Sequence, residues 1–194
     1  MPATRLLVLG VVRMYGRAHG YQVRRELLSW SAERWANVQP GSIYHALKRL
    51  ASEDLLQQVE TTPGKGPDRF AYTLTDAGER DFQRELQQRI ADVTSSPADA
   101  SAFTAALVFI TALPRKLALE LLEYRVTQLE GQRANVATVL DKGSDWGHPA
   151  HVNELYRLWL GHCDADLTWT RELVERLRSG EYVMADDPTD TGHS

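Results

Sequence analysis

The chain has 194 residues, of which 43% are hydrophobic and 25% charged, ordinary values for a globular protein of one moderate or two small domains. No apolar run is long enough to span a membrane, and no signal-peptide pattern is present, so we expect a cytoplasmic protein. The single cysteine, Cys163, excludes an intrachain disulfide. The net charge of −4 is uneven, because residues 1–70 carry ten basic and six acidic side chains, a net +4. Such a segment is typical of a surface that meets nucleic acid.

Three helices are predicted in the first fifty residues. The first runs from about Thr4 to Met14, and the second from about Tyr21 to Trp30. After a polar connector, Pro40 begins the third helix, because proline is tolerated in the first turn. Apolar residues then recur at spacings of three and four and predict one buried face, formed by Ile43, Ala46, Leu47 and Leu50.

A β-hairpin is predicted directly after this third helix. Residues 55–60 and 69–74 read as short strands, and the stretch between them is rich in glycine and proline. Thr75 is a predicted cap for the helix that follows. Three helices followed by two strands and a basic loop indicate a winged helix-turn-helix.

The remaining chain is predicted to be helical. The segments are 103–113, 115–142 and 151–179, with a boundary in the stretch 94–99, which contains Ser95-Ser96-Pro97. The predicted fold is therefore mainly α with a small β-hairpin. Its domains are a winged helix-turn-helix over 1–95 and a helical dimerisation and effector domain over 96–183, and a polar, disordered tail follows over 184–194.

The long helix over 115–142 has an apolar seam. Its members fall at heptad-like spacings, a pattern typical of helices that pair along their length. We therefore predict a dimer interface formed by Leu119, Leu122, Val126, Leu129, Val136 and Leu140.

The polar side of the third helix is the candidate recognition surface. A DNA major groove admits one α-helix, and side chains near its N-terminal end reach the base edges. Periodicity alone fits an ordinary solvated surface helix equally well. The basic loop supplies two further candidates, and the start of the second helix another two. The predicted DNA-contact residues are Tyr21, Gln22, Ser42, Tyr44, His45, Lys48, Arg49, Lys65 and Arg69.

Several motifs in order closely resemble the signature of the PadR family of winged-helix repressors. The strongest runs from Gln39 to Leu50, preceded by Trp35 and followed by Glu53-Asp54-Leu55-Leu56. The segments 7–10, 20–21 and 70–78 also agree, so the resemblance covers about residues 4–90. It implies a homodimeric repressor on a roughly palindromic operator, released by a small molecule or another signal.

The sequence departs from the family pattern at two positions. Asp54 stands where the family usually has glycine, and because Asp tolerates a left-handed helix end, we expect the turn to persist. His45 stands where the family often has proline or a larger basic residue, which affects base preference rather than fold.

Other features of the sequence suggest alternative functions. Four aromatic residues, Trp146, Tyr156, Trp159 and Trp169, are candidates for an aromatic effector pocket, although packing between helices is the simpler explanation. The histidines and acids of 148–166 have no metal-ligand spacing, so neither a metal nor a cofactor is expected. No catalytic motif is present, and we expect no enzyme. A winged helix used for protein–protein assembly without DNA is the competing hypothesis.

Overall fold

The computed structural model describes residues 2–60, 70–93, 97–143 and 147–188. These residues form α1 (Pro2–Tyr15), β1 (Ala18–His19), α2 (Gly20–Ser29), α3 (Ala32–Trp35), α4 (Pro40–Ser52), β2 (Leu56–Glu60), β3 (Phe70–Leu74), α5 (Asp76–Ala91), α6 (Pro97–Leu107), α7 (Arg115–Lys142) and α8 (Asn153–Arg178). Short 3₁₀ turns precede α7 and α8, at Ile110–Ala112 and Ala150–Val152. The predicted class, mainly helical with a small antiparallel sheet and a winged helix-turn-helix, is confirmed.

Within the described residues the sheet has three strands, one more than the sequence predicted. Their order is β1-β3-β2, and both pairings are antiparallel. Gln58 lies opposite Tyr72 in the hairpin, and Ala18 pairs with Tyr72 from the other side. A strand of two residues has no periodicity of its own, so β1 could be recognised only from its partner.

The chain divides into two compact units. The first comprises residues 1–90 and 94–110, and the second comprises 91–93 and 111–194. The boundary predicted at residue 95 is therefore displaced, because α6 packs against α1 in the first unit. At this contact the ring of Phe109 lies over Gly10, where a Cβ atom would come within 2.2 Å of Cζ.

The left-handed turn predicted at the end of α4 and the cap predicted at the start of α5 both form. Asp54 adopts a left-handed conformation with φ 56°. The Leu55 N–H donates to the Leu50 carbonyl, 3.0 Å, and the Asp54 N–H to the Ala51 carbonyl, 3.2 Å, which together form a Schellman motif. Thr75 caps α5, because its Oγ1 accepts the Gly78 N–H at 3.0 Å. The turn at the end of α4 therefore forms with Asp54 in place of glycine.

The second unit is built on the antiparallel pair α7 and α8. Their contact buries Leu122 and Leu129 of α7 and Cys163, Leu167 and Leu177 of α8. Ion pairs cross the same contact, among them Arg133–Asp164 at 2.5 Å between Nε and Oδ1. Arg133 lies between Leu129 and Val136 of the predicted seam, and this ion pair gives its charge a partner on α8.

The start of the predicted tail is not disordered. Met184 is buried, and the Ala185 N–H donates to the Leu113 carbonyl at 3.2 Å. The Asp187 carboxylate accepts the Met184 N–H and pairs with Arg115, and these contacts lower its pKa. Residues 184–188 therefore belong to the second unit, and 189–194 lie outside the described residues.

Candidate nucleic-acid interface

Helix α4 presents one buried and one exposed face. Ile43, Leu47 and Leu50 are at most 2% exposed. Ala46, the fourth predicted member of this face, is half-buried. The apolar side thus fixes the helix to the core.

The opposite side of α4 carries the predicted recognition residues. Tyr44, His45, Lys48 and Arg49 are exposed, whereas Ser42 is half-buried and its hydroxyl donates to the Gln39 carbonyl at 2.7 Å. Among the described residues Lys48 makes no ion pair. The chemistry on this surface is one ammonium, one guanidinium, one imidazole and one phenol, all able to donate to phosphates or base edges.

Arg49 belongs to a charged network that sequence spacing did not reveal. Its Nε donates to Glu53 Oε1 at 2.8 Å, and Glu53 Oε2 accepts from Arg5 of α1 at 2.5 Å. Hydrogen bonds from Arg5 and Arg49 hold the pKa of Glu53 below its usual value. Arg5 also donates to Asp81 of α5, at 3.1 and 2.8 Å from its Nε and a terminal nitrogen. Arg5 is therefore part of this surface. In the sequence it was only one of the positive charges of residues 1–70.

The start of α2 lies beside Tyr44. A Cβ atom on Gly20 would stand 2.7 Å from Tyr44 Cε1, so only glycine leaves room for the ring there. Tyr21 is exposed and its ring stacks on His19, with centroids 5.7 Å apart. Gln22 Oε1 accepts the His19 N–H at 2.8 Å in a capping box, so its carbonyl end is already occupied. The structure thus brings Tyr21 and Tyr44 to neighbouring elements.

The remaining predicted site residues do not lie on α4. Lys65 and Arg69 of the wing loop and Trp146 lie outside the described residues. Tyr156 stacks on His148 and meets Trp159 edge to face at 5.5 Å. Trp169 is ten residues further along α8, about 15 Å from Trp159 along the axis, so these two rings do not close on one ligand.

The six predicted dimerisation residues separate into two groups. Leu122 and Leu129 are buried within the chain against α8, so these two are not free to contact a second molecule. Leu119, Val126, Val136 and Leu140 are half-buried. Two of the six residues of the α7 seam are therefore used inside the second unit.

Within the described residues no group of three or more His, Cys, Asp or Glu side chains converges on a point that could hold a metal ion. Of the helices in this part of the chain, none combines the length and apolarity needed to cross a membrane.

Comparisons with known proteins found a similar family for the N-terminal part of the chain. Residues 8–84, the core of the winged-helix unit, match the model of the "Transcriptional regulator PadR-like family". This part of the chain is therefore similar to a family of transcriptional regulators. A search of curated proteins found no match.

Solved structures similar to this chain include proteins from two bacilli. Bacillus subtilis PadR in complex with operator DNA has 19% sequence identity and a TM-score of 0.40, and the match covers 89% of this chain and 98% of that one. The same protein with p-coumaric acid has 17% identity and a TM-score of 0.37, covering 91% and 96%. The PadR-like regulator BC1756 from Bacillus cereus has 18% identity and a TM-score of 0.37, covering 91% and 98%.

Proposed function

We propose that this protein is a transcriptional regulator that binds operator DNA as a homodimer, with α4 in the major groove and a small molecule controlling release. The observation that carries the proposal is the exposed polar face of α4 on a helix whose other side is locked into the core. Lys48 is central to it, because a lysine exposed on this face and without an acidic partner among the described residues is available to a phosphate or to guanine. The activity is binding rather than catalysis, and a regulator of bacterial transcription would act in the cytoplasm.

The DNA surface that we propose extends beyond α4. Tyr21 and Tyr44 lie at the junction of α2 and α4, where hydroxyls reach backbone phosphates. Lys65 and Arg69 complete the surface if the wing follows the neighbouring groove, and His45 contributes at the centre of α4. Arg49 contributes to the DNA surface the guanidinium nitrogens that are not hydrogen-bonded to Glu53.

The second copy of the chain is proposed to pack on α8. Leu155, Leu158, Trp159 and Trp169 are between 37% and 56% exposed, on the flank of α8 beside its buried face. Leu155 and Trp169 are two heptads apart, the repeat that a partner helix follows. Two-fold regulators read two half-sites, so a second copy is the partner that operator binding requires.

The DNA-binding proposal is tested by selecting duplexes from a random library and measuring affinity by fluorescence anisotropy at several salt concentrations. Lys48→Ala should weaken binding by about tenfold and reduce the salt slope by about one, because one phosphate or base contact is lost. Lys116→Ala is the matched control, since Lys116 is 88% exposed on α7 in the second unit. If no sequence is enriched, the proposal fails and protein–protein assembly becomes the better explanation.

The dimer surface is tested by light scattering after chromatography. Leu158→Asp on the α8 flank should shift the protein to a monomer, whereas Val126→Asp on the α7 seam should leave a dimer. The opposite pattern would return the interface to the seam of α7.

A further inference from the structure

A chain of charged side chains leads from the core of the first unit to the exposed side of α4. Oδ2 of Asp81 in α5 accepts two hydrogen bonds from Arg5 of α1. Arg5 also donates to Glu53, which accepts the Nε–H of Arg49. The exposed fraction of the side chains falls inwards along this chain, from 68% at Arg49 through 32% at Glu53 and 28% at Arg5 to 7% at Asp81. The guanidinium of Arg49 is therefore connected to a buried carboxylate.

The contact of Glu53 with Arg49 is more than an isolated ion pair on a helix surface. An exposed pair four residues apart contributes little by itself, because both side chains lose rotamer freedom. Here Arg5 already fixes the carboxylate of Glu53, 2.5 Å from its Oε2. Arg5 is fixed in turn by Asp81, which also pairs with Arg84. The orientation of Arg49 is therefore set by residues of three helices, α1, α4 and α5.

The hydrogen bond to Glu53 leaves one edge of the Arg49 guanidinium open. Glu53 engages Nε at 2.8 Å, and among the described residues the two terminal nitrogens have no acceptor. These two N–H groups lie in one plane and match the O6 and N7 acceptors that guanine presents in the major groove. Phosphate oxygens also accept from them, but a phosphate is present at every nucleotide and carries no sequence information.

The negative charge of Glu53 lies on the surface that we assign to DNA. Its carboxylate repels phosphates, and this repulsion lowers the affinity for every sequence alike. An arginine paired with an acid also has less charge to offer to a phosphate, whereas paired hydrogen bonds to guanine depend on the orientation of the guanidinium. The pairing thus favours discrimination between sequences over affinity for DNA in general.

We propose that Arg49 reads guanine with its two terminal nitrogens, and that Glu53 is a positioning residue that holds Arg49 in the orientation for this contact. The contact with guanine rests on the proposed function of α4, whereas the hold of Glu53 on Arg49 does not. Arg5 supports the same orientation, because it fixes Glu53 from α1. Apart from the repulsion that is equal on all sequences, the effect of Glu53 on DNA passes through Arg49.

The ratio of the Kd for a scrambled duplex to the Kd for the selected duplex measures discrimination. Anisotropy at one salt concentration gives both constants. Arg49→Ala should lower this ratio at least about tenfold, because a paired contact with guanine is lost. Glu53→Gln should lower it about three- to fivefold, since the contact remains but its orientation is no longer held. The affinity of Glu53→Gln for the scrambled duplex should stay the same or rise, because a repulsive charge is removed.

Two further variants separate orientation from charge. Glu53→Asp keeps the charge and shortens the side chain by one methylene group, so it should lower the ratio as Glu53→Gln does. A purely electrostatic role would leave Glu53→Asp at the wild-type ratio. Glu79→Gln is the matched control, because Glu79 pairs with another arginine of α1, Arg13, at 3.0 Å. Its ratio should equal that of the wild type.

A double variant decides whether Glu53 acts through Arg49. In the Arg49→Ala background, Glu53→Gln should leave the ratio unchanged, and an equal loss in both backgrounds would refute the positioning role. An unchanged ratio in Glu53→Gln and Glu53→Asp would also refute it, provided that the wild type discriminates.

Replacing each guanine of the selected duplex in turn by 7-deazaguanine, which lacks the N7 acceptor, tests the contact itself. At one position or more the wild type should lose affinity while Arg49→Ala does not. If no such position exists, Arg49 does not read guanine.

The hold on Arg49 is measurable without DNA. Nitrogen-edited NMR of the full chain, with the Nε–H of Arg49 assigned by its absence in Arg49→Ala, gives the rate at which this proton exchanges with water. The rate should be about two- to fivefold higher in Glu53→Gln than in the wild type, and equal rates would refute the hold. If the wild type binds all duplexes alike, the proposed function fails and the contact with guanine fails with it, while the exchange rate still decides whether Glu53 holds Arg49.

Discussion

One added methyl group at Gly78 should strongly lower the free energy of unfolding. It lies in the first turn of α5, and a Cβ atom there would stand 2.0 Å from the Leu55 carbonyl oxygen. Since real Cβ atoms essentially never approach closer than 3.0 Å, Gly78→Ala must separate the two backbones by about 1 Å. That carbonyl also accepts the Thr75 N–H at 3.2 Å, so it is not free to turn away.

The expected cost follows from the rigidity of both partners. Overpacking costs about 1–3 kcal/mol where side chains can adjust, and here the obstacle is backbone. Alanine recovers up to about 1 kcal/mol over glycine inside a helix. We therefore expect Gly78→Ala to lower the free energy of unfolding by about 2–3 kcal/mol, which for a unit of this size lowers Tm by roughly 10–20 °C.

Thermal and urea unfolding followed by circular dichroism measures this effect. Gly161→Ala is the control, because Gly161 is exposed on α8 and a Cβ atom there would meet nothing within 4 Å. This control should raise stability by about 0.5–1 kcal/mol. If Gly78→Ala melts within about 2 °C of the wild type, the steric reasoning is wrong.

Three further predictions concern other positions. Gly20→Ala should push the ring of Tyr44 aside. DNA binding, measured by anisotropy, should weaken about threefold or more, while Tm, measured by thermal melting, should stay the same or rise. Arg125→Ala should lower the free energy of unfolding by about 2–4 kcal/mol, measured in urea, because its stem is buried; Arg125→Met, which keeps the volume, should cost less than about 1 kcal/mol. Since the pKa of Glu53 is lowered from 4.5 by two arginines, its stabilising effect is complete above that pH and is lost as the pH falls through the lowered pKa. The melting temperatures of wild type and Glu53→Gln should therefore differ at neutral pH and converge in acid.

Local patterns in the sequence were enough to locate α4 and its two faces. The recurrence of Ile43, Leu47 and Leu50 at helical spacing predicts a buried stripe, and the structure buries all three. The cap at Thr75 and the left-handed turn at Asp54 were predictable for the same reason, since each depends on atoms a few residues away.

The sequence by itself determined the winged-helix class, the start of α4, the bounds of α7 and the exposed polar side of α4. Only the tertiary structure decided which apolar stripes meet, because a helix period shows that a face is buried and not what covers it. Thus Leu122 and Leu129 pack against α8 of the same chain, and α6 joins the first unit. The network of Arg5, Glu53 and Arg49 depended on the fold as well, because Arg5 and Glu53 are 48 residues apart and meet only when α1 packs on α4.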